Sequence, residues 1–176
     1  NADQALFPYT TEDKLTDNHD TTGSKAILLV TRSGRTNLWE PLSECQHGTY
    51  STNRDLYKNT SGTVLIFEEH NHDLGLIWRT AWRTSERFGF VKTSWLINTG
   101  ESACQVELLD GLQNILPANV SELTQNTFSP LLDAYKRSEV DPKTGLALFY
   151  LNSRLTDKAE PSESLLATRA MQIGLA

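Results

Sequence analysis

No hydrophobic run in this chain approaches the roughly 20 residues that a membrane-spanning helix needs. The longest, AILLV at 26–30, reads as a strand. Basic charge is also short: sixteen Lys and Arg against twenty-two Asp and Glu leave a formal charge of −6. That balance argues against a nucleic-acid surface or an anionic membrane as partner. There is no GxSxG nucleophile elbow and no glycine-rich phosphate loop. Internal repeats and low-complexity tracts are lacking as well, and neither a metal nor a cofactor is expected. Cysteine is scarce, with only Cys45 and Cys104. The two could pair in an oxidising compartment or stay free. Cys104 alternates with Val106 and Leu108, which reads as a core position rather than half of a bridge.

What is present is β pattern. With 38% hydrophobic and 22% charged residues, the 176-residue chain has the composition of a folded domain rather than a disordered one. Residues 25–32 read as a strand, 33–35 as a turn, and 36–44 as a second strand limited by Pro41. The segment 48–62 is polar and reads as loop or irregular strand. Runs at 63–69, 75–83, 88–98 and 102–109 follow, separated by short turns, so neighbours should pair antiparallel in a meander. Asp110 and Gly111 are expected to end the last of them. Segments 115–127 and 130–140 could each hold a short helix, the second with Ser129 as N-cap and Pro130 at the first helical position. Leu131, Leu132, Tyr135 and Val140 would then form one stripe. After the turn 141–145, strands are expected at 146–154 and 166–173. The expected fold is mainly β: an antiparallel β-sandwich with one or two short helices. A polar N-terminal arm (1–24) precedes a single sandwich domain (25–176). The start NADQALFPY looks trimmed and the end MQIGLA stops within a strand-like run, so a piece of a longer gene product is expected.

Candidate ligand residues are mostly aromatic. Trp78 and Trp82 are four apart on one strand and share a face, while Arg79 and Arg83 take the other. An exposed Trp pair could stack on a pyranose ring; the same rings would equally fill a core. Trp39, beside Glu40 near a strand edge, is the tryptophan expected to be exposed. Trp95, with Val91, Thr93 and Ile97 on its face, reads as core. The carbohydrate-binding set is therefore Trp39, Trp78, Trp82, Arg79 and Arg83. The HNHD segment at 70–73 could offer His70 and His72 to a metal, though it also reads as a polar turn. Glu68, Glu69, Glu107 and Asp110 are the carboxylates available for acid–base work. Glu68 and Glu69 point to opposite faces and cannot act as a pair. No catalytic residue is assigned.

The runs LLDGLQNILP (108–117), AYKRSEVDPKTGLALFYLNSR (134–154) and DKAEPSES (157–164) carry a resemblance. In their order after a run of strands, they resemble the N-terminal β-supersandwich region of bacterial cellobiose-phosphorylase-like and glycoside-hydrolase-like multidomain proteins. The likeness covers residues 63–173. It implies a galactose-mutarotase-like sandwich ahead of an (α/α) barrel that holds the chemistry. A non-catalytic role follows, with a downstream catalytic domain of the same chain as partner and a carbohydrate as ligand. The alternatives are a stand-alone carbohydrate-binding module, or a sugar-acting enzyme using His70 or His72 with Glu69 or Asp110. A secreted or periplasmic location is implied by the resemblance and the trimmed-looking start.

Overall fold

Ser33 and Gly34 close the first hairpin, and both have positive φ (52° and 78°). A two-residue turn needs that left-handed geometry to match the twist of its strands, and glycine adopts it without a Cβ clash. The turn joins β1 (Gly23–Arg32) to β2 (Arg35–Trp39), paired antiparallel with Leu28 opposite Trp39. The remaining strands of this region are β3 (Thr52–Lys58), β4 (Val64–Asn71), β5 (Leu76–Ser85), β6 (Gly89–Asn98) and β7 (Gln105–Gln113). They form two sheets, β2-β1-β7 and β3-β4-β5-β6, and the second is antiparallel throughout.

The computed structural model describes residues 6–8, 17–117, 120–151 and 164–169, the last of these as backbone. Most of the expected N-terminal arm, the loop 157–161 and the ends of the two last expected strands lie outside the described residues. Two compact units divide the chain where the sequence suggests one domain over 25–176. One is Ser24–Gln113; the other combines Asn1–Gly23 with Asn114–Ala176.

In the Ser24–Gln113 unit the two sheets pack face to face. Ala26, Leu28 and Val30 of β1 and Trp39 of β2 meet Leu76 and Trp78 of β5, all nearly without solvent contact. Leu96, Cys104 and Val106 pack against this cluster, so Cys104 is a core residue; both cysteines are free thiols. Each buried apolar side chain of this size contributes roughly 1.5–3 kcal/mol over its exposed state. At one end of the sandwich Arg32 ties the turns together. Its guanidinium donates to Ser102 Oγ (2.8 Å), Asn98 Oδ1 (3.1 Å) and the Leu74 carbonyl (3.3 Å). Gly100 leaves room for it: a Cβ there would lie 2.8 Å from Arg32 Nη1.

The second unit contains α1 (Glu122–Tyr135), β8 (Lys136–Val140), β9 (Leu146–Leu151) and β10 (Ser164–Arg169), the strands forming an antiparallel sheet in the order β10-β9-β8. Ser121 caps the helix, its hydroxyl accepting from the Thr124 N–H at 3.1 Å. Phe128 leaves helical geometry (φ −124°, ψ 27°) just before Pro130, which cannot donate to the preceding turn. Leu132 is buried with Leu116, Val120 and Leu151, and Tyr135 packs on them.

Several expectations are corrected here. Within 48–62, which reads as loop or irregular strand, residues 52–58 form a regular strand because β4 supplies its ladder partners even though all seven side chains are exposed. β7 runs through Asp110 and Gly111 to Gln113. The expected helix at 130–140 stops at Tyr135: 136–140 is strand, held in register with β9 by the turn that Asp141 organises. Val140 therefore leaves the helical stripe and is exposed, as is Leu131.

Candidate functional site

Register decides which side chains face which way in the four-stranded sheet. Trp78 pairs with Leu96 and with Glu69, whereas Arg79 pairs with Trp95 and Glu68. Directly opposed residues share a face. The inner face thus carries Thr52 and Arg54 of β3, Glu69 and Asn71 of β4, Leu76, Trp78, Thr80 and Trp82 of β5, and Lys92, Ser94 and Leu96 of β6. The outer face carries Tyr57, Ile66, Glu68, His70, Ile77, Arg79, Ala81, Arg83, Val91, Thr93, Trp95 and Ile97.

Of the sequence-derived ligand set, Trp78 lies in the core, its rings closed to any ligand. Trp39 is not exposed: it is 1% accessible. Its indole faces inward because Nε1–H donates to Glu69 Oε1 at 2.9 Å, a partner thirty residues away. Trp82 is half-buried on the inner face. Arg79 and Arg83 share the outer face, Arg79 bonded through Nε to Glu68 at 2.6 Å and Arg83 exposed. Trp95, read as core, is instead 37% exposed. Its register with Arg79 puts it on the face opposite Trp78, and Leu96 takes the core position.

Two arrangements on the Ser24–Gln113 unit stand out. The first is the outer sheet face. Apolar side chains occupy it on all four strands: Tyr57; Val64 and Ile66; Ile77 and Ala81; Val91, Trp95 and Ile97. The Arg79–Glu68 ion pair sits in their midst. The Tyr57 hydroxyl is held above its ordinary pKa by the negative charges of Asp55 and Glu68. β4 is apolar on both faces at Val64, Leu65, Ile66 and Phe67, a pattern of strands covered on both sides.

The second is a cavity of about 520 Å³ at the sandwich edge. It is lined by Trp39 of β2, by Glu40, Ser43, Gln46, His47, Tyr50 and Ser51 of the β2–β3 connection, and by Thr52, Arg54 and Glu69. Glu69 is its fixed point. Oε1 accepts the Trp39 indole, and Oε2 accepts the Leu42 N–H at 2.8 Å and Arg54 Nε–H at 2.7 Å. Arg54 also binds Glu44 and donates to the Ser43 carbonyl at 2.7 Å. Burial works against its charge, but the hydrogen bonds to Glu69 and Glu44 outweigh it and raise its pKa. The Tyr50 hydroxyl, its pKa raised by burial, donates to the Leu38 carbonyl at 2.6 Å.

The enzyme constellation does not assemble. The cavity contains Glu69 but neither His70, His72 nor Asp110. His70 faces outward, its ring tilted 43° to that of His72 with centroids 4.1 Å apart, and among the described residues no third His, Cys, Asp or Glu joins them as a metal site. Asp110 is engaged elsewhere: it pairs with Lys92 and accepts from Ser94 Oγ at 2.7 Å.

Sequence reasoning missed the cavity, whose walls come from a connection with no periodicity. The signal that existed was polar density around an aromatic pair, Trp39 and Tyr50. No family model matches this chain, and no curated protein shows significant similarity to its sequence.

Proposed function

We propose that this chain is a non-catalytic β-sandwich part of a larger carbohydrate-active protein, and that it packs on the catalytic domain of that protein through the outer face of β3–β6. The apolar residues on all four strands of that face carry the reading. A sheet face that met only water would alternate to polar side chains, as one-sided antiparallel sheets do. Faces of this kind on a folded unit mark contact with another protein surface. The carbohydrate assignment rests on the resemblance of 108–117 and 134–154. In this reading the parent is a secreted or periplasmic glycoside hydrolase or phosphorylase.

The test is calorimetric titration of the chain with the catalytic domain encoded by the same gene product. Binding is expected, and Trp95→Glu and Ile97→Lys should abolish it, while Leu109→Lys on β7 should not. Absence of binding, or binding indifferent to the outer-face variants, overturns the proposal.

A second reading, a stand-alone carbohydrate-binding module, is favoured by one observation: Trp95 and Tyr57 are both exposed on the same flat face. Saturable quenching of Trp95 fluorescence by oligosaccharides, lost in Trp95→Ala, would support it over docking.

A further inference from the structure

We infer that the cavity between β2, its following connection and β3 is a binding site for a small, neutral, polyhydroxylated ligand such as a mono- or disaccharide. Size is the first ground. At about 520 Å³ the cavity falls within the range of small-molecule sites, roughly 300–1,000 Å³.

Charge is the second. The ionic groups at the wall compensate one another: Arg54 lies between Glu69 and Glu44, and Lys25 pairs with Glu40 at 2.6 Å. An anion would meet a guanidinium whose charge is already matched by Glu69 and Glu44 and whose three nitrogens bond to Glu69, Glu44 and the Ser43 carbonyl. A cation would find Glu69 and Glu40 each already paired with a positive side chain. What the wall still offers is hydroxyl chemistry: among the described residues the side chains of Ser51 and Thr52 make no hydrogen bond. Ligand hydroxyls donate and accept at will, and they match such a surface without the desolvation cost of a charge.

Preorganisation is the third. The connection that forms the cavity is cross-braced before any ligand arrives. Gln46 accepts the Glu40 N–H at 2.8 Å and donates to the Leu38 carbonyl at 3.1 Å. The Tyr50 hydroxyl anchors to the same carbonyl. The Ser51 N–H donates to Asp73 Oδ2 at 2.8 Å, and the Ser51 carbonyl accepts from His72 N–H at 3.0 Å. A site built this way loses little conformational freedom on binding. The half-buried Tyr50 ring at the wall supplies an aromatic surface for the C–H face of a sugar ring.

The site is separate from the outer sheet face, so its test stands apart from the docking proposal. The full chain would be titrated with D-glucose, D-galactose and cellobiose, and in parallel with inorganic phosphate and citrate. The readout is the Trp39 indole Nε1–H resonance, with the Trp95 indole as internal control. A saturable shift at Trp39 with at least one sugar and none with the anions is expected. Thr52→Phe and Ser51→Phe should each weaken it by about ten-fold or more, a loss of about 1.4 kcal/mol. Both positions are exposed, and an unchanged thermal midpoint would show that the variants fold. A Trp39 signal unmoved by every sugar in the folded protein overturns the proposal. So does an equal response to phosphate or citrate, or a response centred on Trp95, which would place the sugar on the outer face instead.

Discussion

Glu68 and Glu69 are neighbours on β4, both largely buried, and each is bonded to an arginine on an adjacent strand. They differ in what they connect. Glu68, on the outer face, binds Arg79 and lies 3.4 Å from the Tyr57 hydroxyl, so all its partners belong to its own sheet. Glu69, on the inner face, takes the Trp39 indole from the other sheet, the Leu42 backbone from the connection, and Arg54 from β3. The first organises a surface; the second joins the two layers. Burial alone does not separate these roles. The identity of the partners does.

That contrast is open to direct attack. The largest effect should come from Trp78→Ala on the inner face, with a loss of about 4 kcal/mol in urea unfolding, because an indole is removed from a packed core. Glu69→Ala should follow at about 3 kcal/mol, the lower part of the range for a broken buried pair because Arg54 keeps some solvent. It should also release the Trp39 indole proton to rapid exchange. Glu68→Ala, stripped of no cross-sheet bond, should cost about 1 kcal/mol by the same assay. If it matched Glu69→Ala, the distinction between surface and joint would fail. Trp95→Ala should stay within about 0.5 kcal/mol, as changes at exposed positions do. The β8–β9 turn, which belongs to the other unit, provides a control. The Asp141 carboxylate accepts from the Thr144 hydroxyl and the Lys143 N–H, which hold its pKa below the ordinary carboxylate value. A depressed folded-state pKa means stability that is present above the ordinary value and fades as pH falls through the folded one. The small advantage of wild type over Asp141→Asn should therefore be complete at neutral pH and vanish in strong acid, read from thermal midpoints across a pH series.

How much of this could be read from the chain itself varied with the kind of signal. β1 and β4 were legible as short apolar runs, and β5 and β6 as alternating segments set off by short polar turns. The mainly β class followed from those strands alone. β3 was left between loop and irregular strand: TNRDLYK carries no buried side chain, and only its ladder with β4 makes it a regular strand. The segment 136–140 looked helical from its charges and Val140, but a turn just beyond it dictated a hairpin. Trp95 and Trp39 show the sharper limit. Each strand's alternation gives two faces without saying which is inward. For β6 the answer lay in register with β5; for Trp39 it lay in a carboxylate far along the chain. Polar neighbours in sequence, such as Glu40, were a poor guide to what the indole meets in space.

β3 carries one more implication. It closes the edge of its sheet, hydrogen-bonded to β4 on one side. An edge strand offers alternate backbone N–H and C=O groups to any passing chain and is the usual starting point of intermolecular strand addition. Here the exposed run bears Arg54, Asp55 and Lys58 in seven residues. A second copy laid antiparallel along it would have to bring like charges together or strip water from them. The polarity that blurred this strand in pattern reading thus protects the protein in concentrated solution, keeping an open edge from templating a fibre.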